Sequence, residues 1–246
     1  SDLGFDEIVS IPMSALAGDN ILENSDNTPW YSGPTLMEHL ETVEITSAHN
    51  EKPFRLPVQW VNRPNLDFRG FSGTIASGSI TIGDEIISLP SAKTSTVKSI
   101  VGTKDEKQTA ETGEAITLCL TDEIDVSRGD IIAKANDRPE VTDQFQAHII
   151  WMHDDHMLSG RPYLIKTTNK TVDGVITDLR HKVNVNSLEH ESAKTLSLNE
   201  VGLVNIKLSQ QIAFDAYNDN KAMGSFIIID KFTNTTIACG MINFGL

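Results

Sequence analysis

From Phe54 onward the chain alternates apolar and polar residues with a period of two. Phe54, Leu56, Val58 and Trp60 alternate with Arg55, Pro57 and Gln59, the pattern of a strand that buries one face. Further short strands are predicted around residues 73–80, 84–89, 96–101 and 115–120, where Ile116, Leu118 and Leu120 alternate with Thr117 and Cys119. Gly70, Gly73, Gly78, Gly83, Gly102 and Gly113 punctuate the series and read as turns or bulges. Strands at this spacing predict a small closed β-barrel over residues 52–138. At Asn136-Asp137-Arg138-Pro139 the pattern breaks, as a linker between domains does. Phe145, Ala147, Ile149 and Trp151 then alternate with Gln146, His148 and Ile150. Strands follow near 163–167, 174–179, 203–208 and 225–229, so a second barrel is predicted over 139–246. No fixed-period repeat links the two series, which argues against a solenoid or a propeller.

Residues 1–51 follow another pattern. Ile8-Val9-Ser10-Ile11 reads as a short strand halted by Pro12, and a polar, turn-rich stretch runs from Gly18 to Gly33. Pro34 then suits the first turn of a helix whose Leu36, Leu40 and Val43 share one face. A strand, loop and helix cannot bury their own apolar face, so the unit requires a sheet or a neighbouring surface. Leu36, Leu40 and Val43 are therefore expected to pack against another copy or a barrel flank.

Composition narrows the class. An apolar fraction of 39% in 246 residues is ample for buried cores. The net charge of −14 disfavours nucleic acid as principal partner, because polyanion surfaces need clustered cations. Cys119 and Cys239 lie far apart in apolar stretches, as buried free thiols do. No run of about 18 apolar residues occurs and the first residues are acidic, so no membrane partner is expected and a cytoplasmic location is. The sequons at Asn169 and Asn234 would matter only in a secreted protein.

Candidate chemistry is sparse. His153-Asp154-Asp155-His156 has ligand types suited to a divalent metal, but four adjacent residues cannot converge on one ion, and a solvated loop is expected. Gly70-Phe71-Ser72-Gly73 lacks both the spacing and the strand-to-helix setting of a nucleophile elbow, so a turn or bulge is expected. No local signature selects a Ser-His-Asp triad. Arg63, Arg69 and Arg128 stand out in an acidic chain and are read as structural forks to carboxylates or turn carbonyls. Trp30 and Tyr31, just before the helix, are read as packing residues. No catalytic residue and no metal ligand emerges.

Several segments, in order, resemble the translation-factor-like GTPases: Ile11-Pro12-Met13-Ser14-Ala15-Leu16, Trp30-Tyr31-Ser32-Gly33-Pro34-Thr35-Leu36, Arg69-Gly70-Phe71-Ser72-Gly73, Gly83-Asp84 and Ser127-Arg128-Gly129-Asp130. Leu56-Pro57-Val58-Gln59-Trp60-Val61-Asn62-Arg63-Pro64, with Leu89-Pro90-Ser91, is most similar to the GTPase subunit of bacterial ATP sulfurylase, sulfate adenylyltransferase subunit 1. The resemblance implies a mainly β fold: two consecutive barrels of the elongation-factor domain 2 and domain 3 type, preceded in residues 1–51 by a remnant of an α/β GTP-binding domain. It implies a guanine contact at Ser14, Ala15 and Leu16. It also implies a catalytic small subunit as partner, and coupling of GTP hydrolysis to formation of adenosine 5'-phosphosulfate from ATP and sulfate. GTP and magnesium are the implied cofactors of the full-length protein. The departures matter, since no Gly-x-x-x-x-Gly-Lys-Ser/Thr loop occurs and Asn169-Lys170-Thr171-Val172 lacks the acid of an Asn-Lys-x-Asp clamp. The chain alone is therefore expected to bind no cofactor and to be inactive. The remnant is expected to allow self-association. The alternative is a barrel pair from an elongation factor that holds tRNA or the ribosome.

Overall fold

A computed structural model gives the structure of residues 8–43, 51–65, 68–103, 105–168 and 170–246. It divides into a small amino-terminal unit, Ser1–Thr46, and a large unit, Ser47–Leu246.

In the small unit the loop is organised by one residue. Asn20 is fully buried with φ +54°, a conformation that asparagine tolerates. Its side-chain amide donates to Pro12 O (2.7 Å) and Thr28 Oγ1 (2.8 Å), and its Oδ1 accepts from Ser25 N (2.8 Å). The carbonyls of Asn20 and Ile21 accept from Leu36 N and Met37 N, two amides of the first helical turn that have no partner within the helix. Helix α1 spans Leu36–Thr42, capped by Thr35 Oγ1 accepting from Glu38 N. Two expectations fail here. Pro34 precedes the cap instead of opening the helix, and Ile8–Ile11 forms no strand, for want of a neighbouring ladder to pair with. The helix buries none of its residues; Leu40 and Val43 are exposed.

The first barrel comprises β1 (Arg55–Pro57), β2 (Trp60–Asn65), β3 (Phe68–Thr74), β4 (Ser79–Thr81), β5 (Glu85–Leu89), β6 (Lys93–Val101), β7 (Glu106–Lys107), β8 (Thr109–Glu111), β9 (Ala115–Leu120) and β10 (Ile131–Lys134). The strand order is β1-β10-β5-β6-β9-β3-β2, with β7 on β6, while β4 and β8 pair separately. The circuit returns to β1 by two bonds, Arg55 N to Ser77 O and Ala76 N to Arg55 O. Phe54, Leu56, Val58, Phe71, Ile80, Ile86, Ile100, Leu118 and Ile132 fill the interior, each contributing about 1.5–3 kcal/mol by leaving water.

The alternation at Phe54–Trp60 is broken at three positions, since Pro57 too is buried. Trp60 is 61% exposed, because the chain leaves β1 after Pro57 and Trp60 opens the edge strand β2. Arg55, predicted on the polar face, is 2% exposed. Gly70 and Gly73 are not turns either. Both lie inside β3, where a Cβ would stand 2.4 Å from Thr117 Cγ2 and 2.3 Å from Pro57 O. Gly78, Gly83 and Gly113, at positive φ, do make turns. The peptide Leu89–Pro90 is cis.

The second barrel comprises β11 (Glu140–Trp151), β12 (Pro162–Lys166), β13 (Thr171–Val183), β14 (His190–Glu191), β15 (Val201–Phe214), β16 (Ser225–Asp230) and β17 (Thr236–Gly245), with a short helix α2 (Lys221–Gly224) before β16. The order β12-β16-β17-β11-β15-β13-β14, together with a β12–β13 ladder, closes six strands into a ring. Phe145 lies 5.9 Å from Phe214 and 5.4 Å from Phe226, ring to ring, in its core. Sequence reasoning missed β17 because its inward positions include Ala238 and Gly240 whereas Cys239 and Met241 face outward, which blurs the alternation. Gly240 leaves room for the Phe226 ring, whose Cζ lies 2.2 Å from where a Cβ would stand.

Candidate functional site

The Ser14-Ala15-Leu16 segment forms an exposed turn. Ser14 pairs with Asp19 across an isolated bridge, its carbonyl accepts from Gly18 N (2.8 Å) and its Oγ from Ala17 N (3.2 Å). Asp19 is held below the ordinary carboxylate range by hydrogen bonds from the Ser25 hydroxyl and then the Asn27 amide. Ala15 and Leu16 are exposed, Leu16 fully so. The turn thus offers backbone and a rigid acidic neighbour, and no nucleophile or proton donor suited to chemistry.

Among the described residues no phosphate or magnesium site is assembled. Asp67-Phe68-Arg69-Gly70 has the Asp-x-x-Gly spacing of a magnesium switch, but Gly70 is locked in β3 between Asn62 and Cys119, and Asp67 lies outside the described residues. Asn220-Lys221-Ala222-Met223 opens α2 with Asn220 as its cap, and carries methionine where a base clamp needs an acid. Asn169 lies outside the described residues. Among the described residues no three His, Cys, Asp or Glu side chains gather as a metal-ion set. His153–His156 is a loop wired to its surroundings: Trp151 Nε1 donates to Asp155 O (2.7 Å), Asp155 N to His153 Nδ1 (3.1 Å), and His156 Nδ1 meets Ser197 Oγ (3.1 Å). Arg63 and Arg69 make loose pairs with Glu123 and Asp125, each 3.7 Å. Trp30 and Tyr31 meet edge to face, with Trp30 73% exposed. Cys119 is buried, Cys239 half-buried, and both are free thiols.

The strongest polar constellation is one the sequence did not announce, at the seam between the two barrels. The buried Arg55 guanidinium grips Asp215 of the second barrel with a fork: Nε lies 2.9 Å from Oδ2 and Nη2 2.9 Å from Oδ1. Its Nη1 donates to Phe54 O and Asp137 O, both 2.9 Å. Asn220 Nδ2 reaches back to Ser77 Oγ (2.9 Å), and Ser77 Oγ donates to Pro53 O (2.6 Å). Lys52 Nζ donates to Asp219 O (2.7 Å). Beside this network Ile87, Leu89 and Ala133 of the first barrel pack with Val141 and Ala213 of the second. A cleft of about 600 Å³ opens over the seam, lined by Lys52, Arg55, Arg138, Asp137, Glu140 and Asp215 among others. The Arg55 charge is matched by Asp215 and Asp137, so the network at the seam positions two barrels. The one available signal was a lone arginine inside the apolar run Phe54–Val58.

Comparison with known proteins follows this geometry. The GTP-eEF1A C-terminal domain-like family matches residues 144–243, the second barrel. The bifunctional enzyme NodQ of Rhizobium sp. (strain N33) is 50% identical over 98% of the chain and 37% of its own length. Sulfate adenylyltransferase subunit 1 of Teredinibacter turnerae (strain ATCC 39867 / T7901) is 48% identical over 96% of the chain and 50% of its own length. That of Pseudoalteromonas atlantica (strain T6c / ATCC BAA-1087) is 47% identical over 98% and 51%. The chain thus spans about half the length of these subunit 1 relatives, and less of NodQ. Among solved structures, sup35 complexed with GDP superposes with a TM-score of 0.75 at 21% identity, covering 96% of this chain and 58% of that one, a likeness of fold. Over the stretch it shares with them, the chain is a homologue of sulfate adenylyltransferase subunit 1 and of NodQ, and it has the β-barrel fold seen in sup35.

Proposed function

We propose that this chain is the barrel portion of a sulfate adenylyltransferase GTPase subunit, which in full-length form couples GTP hydrolysis to the making of adenosine 5'-phosphosulfate and pyrophosphate from ATP and sulfate. The observation that carries the reading is identity of 45–48% to subunit 1 proteins along 96–98% of the chain. The chain's own residues supply the scaffold. Arg55, Asp215, Asn220 and Ser77 hold two barrels together, and Ser14, Ala15 and Leu16 form the turn that would meet the guanine base. Phosphate binding, magnesium binding and hydrolysis would rest on residues outside this chain, and adenylyl transfer on a catalytic small subunit.

The test is pyrophosphate release from ATP and sulfate by the full-length protein combined with the small subunit, with and without GTP. Stimulation by GTP is expected, whereas a rate indifferent to GTP defeats the coupling. Titration calorimetry of GTP into the 246-residue chain alone should show no micromolar binding; a micromolar isotherm would overturn the reading of this chain as inactive scaffold. The elongation-factor reading has behind it a family match confined to the second barrel, residues 144–243, and a fold likeness at 21% identity, and salt-dependent tRNA binding would revive it.

A further inference from the structure

The outer face of the second barrel carries three histidines in one row. His148 on β11 and His181 on β13 both stand opposite Leu203 of the intervening β15. His190 on β14 lies against His181 with ring centroids 3.8 Å apart and planes 17° from parallel. Neutral imidazoles stack in this way; two imidazolium rings repel at that distance. His148 Nδ1 has Asn243 Oδ1 at 3.1 Å, whereas His181 Nε2 is buried without a hydrogen-bond partner among the described groups. A proton there would add a buried donor with nothing to accept it. His181 is pushed below its ordinary pKa by burial first, then by His190, His148 and Arg180. On β17 the residue opposite His148 is Met241, which carries no charge.

The hairpin that bears His190 is lightly attached. β14 pairs with β13 at two positions, Lys182 with Glu191 and Val183 with His190. Asn184 N donates to Glu189 O (2.9 Å) and Asn184 Nδ2 to Glu191 Oε1 (2.8 Å), while Lys182 Nζ lies 3.4 Å from Glu191 and 2.9 Å from Glu200. Glu191 is held below the ordinary carboxylate range by Asn184 and then Lys182, and Glu200 by the Ser197 amide and then Lys182. Lys182 is pushed upward, chiefly by Glu200. These pairs therefore keep their charge between about pH 7.5 and about pH 5.5, the window in which histidines titrate. At the tip Val185 and Leu188 are exposed apolar residues.

We propose that the His181–His190 stack is a proton-operated latch: with both rings neutral it holds the 182–191 hairpin on the barrel, and a proton on either ring releases the tip. Because the closed state depresses the His181 pKa, its contribution is complete above the ordinary histidine value of about 6.5 and is lost as pH falls from there toward the depressed value. Lys182 and its two glutamates remain as a hinge.

The experiment is amide hydrogen exchange of residues 182–191 in the 246-residue chain, corrected for intrinsic rates, at about pH 7.5 and about pH 5.5, with the imidazoles titrated by NMR. Protection in the hairpin is expected to fall about tenfold at the lower pH, with β11 and β15 unchanged. His190→Gln should reduce that pH dependence and bring the His181 midpoint part of the way back toward its ordinary value. His148→Gln leaves the stack in place and should retain the response. Equal hairpin protection at both pH values, or the same loss in His190→Gln as in the native chain, overturns the latch. Should His190→Gln fail to fold, the native titration alone decides, since a His181 midpoint at or above the ordinary value refutes it.

Discussion

Removing the Asp215 carboxylate should weaken the seam between the barrels by about 3 kcal/mol. Breaking a buried ion pair by deleting one partner costs about 3–5 kcal/mol, because the remaining charge stays buried and uncompensated. Arg55 is 2% exposed and would stay so, which favours the full cost. Against this, the Asp215 side chain retains 14% exposure and Asp137, half exposed, stands 3.7 Å from Arg55 as a second carboxylate, which places the effect at the low end. With a urea m value of about 2–3 kcal/mol/M, Asp215→Ala should lower the midpoint by about 1–1.5 M. The double variant Arg55→Met/Asp215→Leu removes both charges and should return to within about 1 kcal/mol of the native protein. Probes in each barrel would also show whether one transition becomes two. A loss below about 1 kcal/mol in Asp215→Ala, or a double variant as unstable as the sum of its singles, would refute the description of this pair as buried and coupled.

Two further substitutions test the packing. Gly73→Ala would place a Cβ 2.3 Å from the Pro57 carbonyl, a backbone atom that cannot swing aside, so a loss of about 2–3 kcal/mol in urea unfolding is expected. Gly83→Ala, where the space is open and only φ +94° opposes a side chain, should cost less, and the reverse order would defeat the argument. Asn20→Ala strips three hydrogen bonds from the amino-terminal loop and should cost about 2–3 kcal/mol of local stability, read as faster exchange at the Ser25 amide; unchanged exchange there would show that the loop is held by other means.

The elements that were readable shared one property: burial on one face of a strand of ordinary length. β9 and β11 announce themselves because Ile116 and Leu118, or Phe145, Ala147, Ile149 and Trp151, must leave water together on one side. Where inward residues are small, as at Ala238 and Gly240 of β17, the same physics leaves a weaker trace. Gly70 and Gly73 misled for a related reason. A glycine required by a close neighbour looks, in one dimension, like a glycine required by a turn. Ser14-Ala15-Leu16 was recognisable by resemblance, while its conformation depends on Asn20, whose importance no local pattern shows.

By itself the sequence determined the class and the kinship: period-two alternation specifies two runs of strands, and segments such as Trp60-Val61-Asn62-Arg63-Pro64 carried the resemblance to subunit 1 proteins, which are 45–48% identical along the chain. Only the tertiary structure decided which polar residues lie inside. Arg55 alternates as a surface residue should, yet it is buried because the second barrel brings Asp215, 160 positions away, to its guanidinium. His181 and His190 likewise become a stack only when β14 folds back on β13. Alternation records which face of one strand avoids water. The partner that makes a buried charge tolerable comes from a distant part of the chain, and only closure of the barrels places it there.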